Sequence, residues 1–255
     1  MISLAKLILL DIVRNRFVFI YAAILLVITS MAFLLEDQSG KGLLSLLNLI
    51  MLIVPLVSVM FASSYLFNSY EFIELLLGQP VKRSKIWGSL YLGQSLAMSL
   101  AFLVGAGLPV LIFSANWVGL MMLLAGVLIT MIFTALAMLS SALTREKAKG
   151  MGLSIMIWLF FALLFDGFIL FILFQLSDYP VEKLVLILSF LNPIGLSRIL
   201  ILLHLDISAL MGYAGAIFND FFGTAGGMLC SLLALISWIL FPFWFSLKIF
   251  KRKDI

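Results

Sequence analysis

Six long apolar stretches dominate this chain of 255 residues, and each is long enough to cross a lipid bilayer. A helix needs about 20 mostly apolar residues to span the hydrocarbon core. The stretches cover residues 17–35, 43–67, 86–113, 117–143, 150–174 and 224–247. Hydrophobic residues make up 64% of the chain and charged residues 11%, against about 25% charged in soluble domains. The sequence therefore predicts an all-α polytopic membrane protein, with one transmembrane domain over residues 1–255.

Lys and Arg residues are concentrated on one side of these stretches. Thirteen of the sixteen fall near the two termini, in 68–86 or in 144–149, whereas Lys41, Lys183 and Arg198 fall on the other side. Cytoplasmic loops of membrane proteins collect Lys and Arg. This distribution predicts that both termini are cytoplasmic. It also explains the net charge of +4 without a nucleic-acid partner.

Residues 1–16 form a separate amphipathic stretch. Ser3, Lys6, Asp11 and Arg14 share one sector of a helical wheel, and the remaining face is apolar. Such a helix is typical of the membrane interface. We therefore predict an interfacial N-terminal helix that is not cleaved.

A polar segment, residues 68–86, separates the second and third stretches on the predicted cytoplasmic side. It has two acidic residues, a leucine run, a break at Gly78-Gln79-Pro80 and a basic cluster. The residues that we predict to contact a cytoplasmic partner are Glu71, Glu74, Leu75, Leu76, Leu77, Pro80, Val81, Lys82, Arg83 and Lys85. Leu75–Leu77 would enter a groove on that partner, and the three basic residues would lie against lipid headgroups.

The other long connection, residues 175–223, lies on the opposite, extracytoplasmic side. Two apolar runs in it, each too short to span, are separated by Asn192-Pro193, because a residue before proline disfavours helix. They are predicted to be re-entrant or interfacial helices. The candidate contacts with an extracytoplasmic partner are Asn192, Pro193, Arg198, Asp206, Met211, Gly212, Tyr213, Gly215, Phe218, Asp220, Phe221 and Phe222. The aromatic residues suit either a lipid belt or a partner surface.

Motifs for catalysis are missing from the sequence. It contains no G-x-x-x-x-G-K-[ST], H-E-x-x-H or G-x-S-x-G pattern. His204 and Cys230 are the only residues of their types, and the methionines form no spaced pairs. We therefore predict a non-catalytic chain that binds no metal or cofactor of its own.

Asp166 is an exception within the fifth apolar stretch, because no basic residue lies within a helical turn or two of it. A carboxylate inside a membrane is costly unless it is hydrated, paired or protonated. Three interpretations remain open: part of a transport pathway, a hydrogen-bonded residue between helices, or a residue at the outer membrane boundary.

The order of these features resembles the ABC-2 type permeases, the membrane subunits of ATP-binding-cassette transporters, over essentially the whole chain. The matching residues are Glu71, Glu74, Leu75, Leu76, Leu77, Pro80, Val81, Arg83 and Ile86, in the position of that family's coupling helix. The resemblance implies a cytoplasmic ATPase partner that binds ATP and Mg, a second copy of this chain, and a bacterial inner-membrane location.

A narrower resemblance rests on residues 206–223. This run is similar to the permease subunits of systems that mature nitrous oxide reductase. It implies a periplasmic β-helix partner and a role in assembling copper centres for denitrification. Two alternatives remain: an ABC-2 exporter of lipid, drug or ion, and a membrane scaffold without a motor.

Overall fold

The computed structural model describes residues 2–35, 39–176, 182–202 and 224–252, and these residues form ten helices. The helices are α1 (Ile2–Val13), α2 (Arg16–Leu35), α3 (Ser39–Asn68), α4 (Tyr70–Leu77), α5 (Arg83–Phe113), α6 (Trp117–Leu143), α7 (Lys147–Gln175), α8 (Glu182–Phe190), α9 (Pro193–Leu202) and α10 (Ala225–Arg252). Six of them, α2, α3, α5, α6, α7 and α10, have the length and apolarity of membrane spans. The predicted all-α, six-span fold is confirmed.

The two ends of the bundle differ in charge. One end carries α1, α4 and the last turn of α10, and it holds most of the Lys and Arg residues. We call it the basic end. The other, where α8 and α9 lie between α7 and α10, is called the far end.

Helix α6 lies at the centre of the bundle, where it contacts α3, α5, α7, α9 and α10. Small residues let its neighbours approach closely. A Cβ atom added to Gly126, for example, would overlap the ring of Phe102 on α5. The buried hydroxyls of Thr130 and Thr134 donate to the carbonyls of Gly126 and Thr130, each at 2.8 Å. This bonding within the helix satisfies polar groups that the core would otherwise leave without partners.

Helix α5 uses small residues to receive the N-terminal helices. A Cβ at Gly93 would lie 2.5 Å from Cγ2 of Ile8 on α1, and a Cβ at Gly105 would lie 2.6 Å from the Ala22 carbonyl oxygen on α2. Ala5, Ile8 and Ile12 are buried on α1. The close approach of α1 and α2 therefore depends on glycine at two levels of α5.

Two spans contain a π-turn. The turn in α5 covers Leu103–Gly107 and ends just before Pro109, whose missing N–H cannot continue the regular α-helical bonding. The turn in α7 covers Phe160–Leu164, where the Phe165 N–H bonds to the carbonyl of Phe160, five residues back. No proline accompanies this second turn.

Helix α9 is the neighbour that meets the π-turn of α7, and it also contacts α3, α6 and α10. Its ten residues are too few to span a bilayer. Pro193, Ile194, Leu196 and Ile201 are nonetheless buried. Of the two interpretations left open by the sequence, this burial inside the bundle favours a re-entrant helix over an interfacial one.

Candidate functional site

Helix α4 presents a mixed acidic and apolar surface at the basic end. Ile73 is 3% exposed and anchors the helix on the bundle, whereas Leu75 is 73% exposed. Glu71, Phe72 and Glu74 are exposed as well. Residues three and four positions apart share a helix face, so Leu75 lies beside both Glu71 and Phe72. This exposed face of α4, defined by these four exposed residues, is called the α4 surface.

The start of α5 is joined to the end of α10 by a chain of contacts. Arg83 donates from Nη1 to the carbonyl oxygen of Lys251 at 3.2 Å. Helix C-termini leave carbonyls without helical donors and attract positive charge. Arg83, the first residue of α5, therefore supplies a donor to the last turn of α10. It follows the segment that contains α4 in the chain.

Aromatic residues continue this connection along α5. Trp87 is buried, its Nε1 donates to Oγ of Ser246 at 3.0 Å, and its ring stacks on Phe250 with centroids 4.1 Å apart. One turn further on, the rings of Tyr91 and Phe243 lie 4.8 Å apart. We call the set from Arg83 to Tyr91 with its partners on α10 the α5–α10 seam.

A cavity of about 160 Å³ lies between α4 and this seam. Its lining includes Tyr70 and Ile73 from α4, Trp87 and Phe250 from the seam, and Arg145 after α6. The cavity lies between α4 and the ends of α6 and α10. The side of α4 that faces the bundle therefore has free space that a closely packed helix would lack.

At the far end, three polar side chains connect α7 to α9. Arg198 Nη1 lies 2.9 Å from Asp166 Oδ2, and the two side chains are 30% and 33% exposed. Asn192 Nδ2 donates to Asp166 Oδ1 at 3.1 Å and to the carbonyl of Phe161, inside the π-turn, at 3.0 Å. We call Asp166, Asn192, Arg198 and this carbonyl the polar clasp.

The local sequence around Asn192 explains how it reaches the clasp. Its Oδ1 accepts from the Ile194 N–H at 3.1 Å at the start of α9, and Pro193 suits the first helical position because no N–H is needed there. Gly195 leaves room for the amide, since a Cβ there would lie 3.1 Å from Asn192 Nδ2. Both amide hydrogens and the amide oxygen of Asn192 are thus used.

A family model described as ABC-2 family transporter protein matches residues 2–255. This chain belongs to the ABC-2 family. It is similar to two relatives named "Probable ABC transporter permease protein NosY". The one from Pseudomonas aeruginosa is 30% identical over 180 residues, 66% of each chain. The one from Stutzerimonas stutzeri is 26% identical over 233 residues, 82% of this chain and 79% of the relative.

In this ABC-2 permease, the predicted cytoplasmic contact residues do not form one surface. Glu71, Glu74, Pro80, Lys82 and Lys85 are exposed with Leu75. Leu76, Leu77 and Val81 are half-buried against the core, and the entry of Leu75–Leu77 into a groove on a partner stays a prediction, which the exposure of Leu75 supports most directly. Phe72, which was not among the predicted contact residues, is exposed three positions before Leu75.

The basic cluster of the permease also divides. Arg83 is half-buried and bonds to α10, and its predicted place against lipid headgroups stays a prediction. Lys82 and Lys85 are exposed, and their contact with lipid stays a prediction.

Predicted site residues at the far end of the permease have different outcomes. Asp166 is hydrogen-bonded between helices, which was one of its three interpretations. Asn192 is 0% exposed and Pro193 is buried, so the prediction that they contact an outside partner is corrected. Arg198 faces Asp166 instead of standing free. The remaining candidates lie outside the described residues: Asp206, Met211, Gly212, Tyr213, Gly215, Phe218, Asp220, Phe221 and Phe222.

Within the described ranges, no three His, Cys, Asp or Glu side chains come together as metal ligands would. The polar clasp has one carboxylate and a guanidinium, and a cationic side chain does not coordinate a metal. Hydrogen bonds and stacked rings connect α5 to α10, and hydrogen bonds with an ion pair connect α7 to α9 and to Asn192 before it. These contacts can transmit movement between helices.

Proposed function

We propose that this permease transmits movement from a cytoplasmic ABC ATPase, bound at the α4 surface, to the far-end segment 203–223. The α5–α10 seam is the observation that carries this proposal. It joins the segment containing α4 to α10, and the chain enters α10 directly after residues 203–223. A displacement of α4 would therefore reach the far end through one continuous helix.

The basic end is the cytoplasmic end in this proposal. Most Lys and Arg residues lie there, as the bias of cytoplasmic loops requires. Both termini are then cytoplasmic and the far-end segment is extracytoplasmic. The protein would be a multi-pass component of a bacterial inner membrane.

The α4 surface fits a partner with an apolar groove and a basic rim. Leu75 would occupy the groove and Glu71 and Glu74 would face the rim. Apolar contacts at the centre of an interface contribute most of the affinity, whereas charges at the rim guide orientation. The partner ATPase would hold ATP and Mg, and this chain would bind neither.

For the complete system, we propose maturation of the copper centres of nitrous oxide reductase. The name NosY of both relatives and the run 206–223 support this proposal, with a second copy of this chain and a periplasmic β-helix protein as further partners. The exporter alternative would need a polar path through the membrane, and Asp166, its candidate in the sequence, is bonded to Asn192 and Arg198 between two helices.

Purification of the tagged chain from its native membranes, with identification of every subunit that stays bound, tests the ATPase partner. Leu75→Ser should release the ATPase because it places a hydroxyl in the centre of the contact. Leu143→Ser is a matched control, since Leu143 is also an exposed leucine and lies at the end of α6. Recovery of the wild-type chain without any ATPase would support the scaffold alternative and refute the proposal.

A second experiment separates transmission of movement from transport of copper. The purified complex is sealed into vesicles, ATP is supplied to the ATPase, and copper and sulfur compounds are measured inside. We expect hydrolysis without ATP-dependent uptake. ATP-driven accumulation of either species would show that the permease transports it and would contradict the proposed mechanism.

A further inference from the structure

A hydrogen bond connects the residue that precedes α9, Asn192, to a backbone carbonyl in the π-turn of α7. A change from α-helical to π-helical bonding alters which N–H each carbonyl receives, and π-turns occur frequently at functional positions. A carbonyl left without a donor is costly where lipid excludes water. Asn192 supplies a donor to the Phe161 carbonyl within this turn, at 3.0 Å. The contact therefore stabilises a conformation that α7 has no proline to impose.

We propose that Asn192 positions α7 in this helical register, and that withdrawal of α9 lets the π-turn relax into a regular α-helix. Both states satisfy the backbone. With α9 in place, the Phe161 carbonyl has the Asn192 amide; in the relaxed state, the carbonyls of this turn accept from N–H groups four residues ahead.

Relaxation changes the orientation of the far-end half of α7. A shift of one residue corresponds to a rotation of about 100° and a rise of about 1.5 Å. Asp166 rotates with this half of α7 and moves out of contact with Arg198. The ion pair and the Asn192 bonds are consequently lost together, which makes the clasp a two-state element instead of a flexible contact.

The side chains of this half allow such a rotation. Within Phe165–Gln175, all residues except Asp166, Gly167 and Gln175 are apolar. Phe165, Ile169 and Leu173 now face the bundle, whereas Phe168, Leu170, Phe171 and Phe174 are exposed. After relaxation Leu164 and Phe168, which are now exposed, and Ile172, which is now half-buried, would take the inward positions. One apolar stripe replaces another, and Asp166 is already one-third exposed.

The switch lies where it can respond to the rest of the molecule. Helix α9 packs against α10, and Trp238 on α10 donates from Nε1 to the Phe190 carbonyl at the end of α8, at 3.0 Å. A tilt of α10 would pull on both short helices. The residues that α7 exposes at the far end would then depend on the position of α9. This dependence holds whatever moves α10.

Oxygen accessibility of spin labels measures the register directly. Single cysteines are placed at positions 164 to 173 in a Cys230→Ser background, labelled, and studied with the full chain in lipid nanodiscs. In the otherwise wild-type chain, we expect accessibility minima at 165, 169 and 173. In Asn192→Ala, the minima should move by about one residue, to 164, 168 and 172.

Ser197→Ala is the matched control, because Ser197 is also buried on α9 and its hydroxyl has no hydrogen-bond partner in the described structure. It should leave the minima in place. Deletion of Leu163 supplies a second variant, since it removes the extra residue of the π-turn. In this deletion variant the accessibility minima should stay at Phe165, Ile169 and Leu173, in the wild-type numbering. Adding Asn192→Ala to the deletion should not move them.

Unchanged minima in a folded Asn192→Ala chain would overturn the proposal, as would an equal shift in Ser197→Ala. If Asn192→Ala does not fold, Asn192→Asp replaces it, because the carboxylate keeps the acceptor for Ile194 but lacks the two donors. The same shift is expected, and wild-type minima in that variant would refute the positioning role. None of these measurements requires an ATPase, so they remain decisive if the proposed function is wrong.

Discussion

Trp87 provides a quantitative test of the α5–α10 seam. Its indole contributes a hydrogen bond to Ser246 and a stacked contact with Phe250, and it is 3% exposed. A hydrogen bond contributes about 1 kcal/mol and an aromatic pair about 0.5–1.5 kcal/mol beyond its buried area. Trp87→Phe removes the hydrogen bond and some area, so we expect a loss of about 1–2 kcal/mol in the free energy of unfolding. Trp87→Leu also removes the stack and enlarges the cavity, for a loss of about 2–4 kcal/mol.

The assay is reversible unfolding of the purified chain in mixed micelles, followed by tryptophan-independent far-ultraviolet circular dichroism. A double-mutant cycle of Trp87→Leu with Phe250→Leu isolates the stacked contact, and we expect a coupling energy of about 0.5–1.5 kcal/mol. Tyr91→Phe is a control for a nearby hydroxyl, which donates to the Met131 carbonyl and does not touch Phe250. Equal losses for Trp87→Phe and Trp87→Leu, with additive effects of the pair, would refute the assignment of the seam.

Three further predictions follow from close contacts and charges. Gly93→Val should lower the free energy of unfolding by about 1–3 kcal/mol, because its Cβ would meet Ile8. Gly152→Ala should not lower it, because the space around Gly152 is open. Equal effects of the two changes in thermal unfolding would contradict the close packing of α1 on α5. Asp166→Leu should destabilise the chain by more than Asp166→Asn, because leucine leaves the Arg198 charge without a partner and asparagine keeps an acceptor; the reverse order in unfolding experiments would show that the charge is not paired. Gly195→Ala should weaken the clasp by about 0.5–1.5 kcal/mol as the new methyl displaces the Asn192 amide, and full additivity with Asn192→Ala would argue against a shared contact.

The spans could be predicted from sequence because their signal is local. Each needs only a run of apolar residues of sufficient length, and the charges at its ends mark the boundaries. The segment around α4 was predictable for the same reason. Its exposed face could not be predicted, because Leu75, Leu76 and Leu77 are chemically identical and only the packing of α4 through Ile73 determines which of them is exposed.

The polar clasp shows why other features could not be predicted. Asp166 and Arg198 are 32 residues apart and belong to different helices, so no periodic pattern connects them. The π-turn that Asn192 stabilises also lacks a marker, since α7 has no proline or paired glycines at Phe160–Leu164. Turn chemistry predicted the break at Asn192-Pro193, but the target of the amide depends on tertiary packing alone.

The mechanical behaviour of α10 follows from its length. Its 28 residues extend over about 42 Å at 1.5 Å per residue, so a tilt of about 5° about one end displaces the other by about 4 Å. Pro242 lies near the middle of this lever and removes one backbone hydrogen bond. The helix therefore has a compliant point between the seam and the far end, and this point sets how much of an input movement is absorbed by bending before any reaches the membrane's other face.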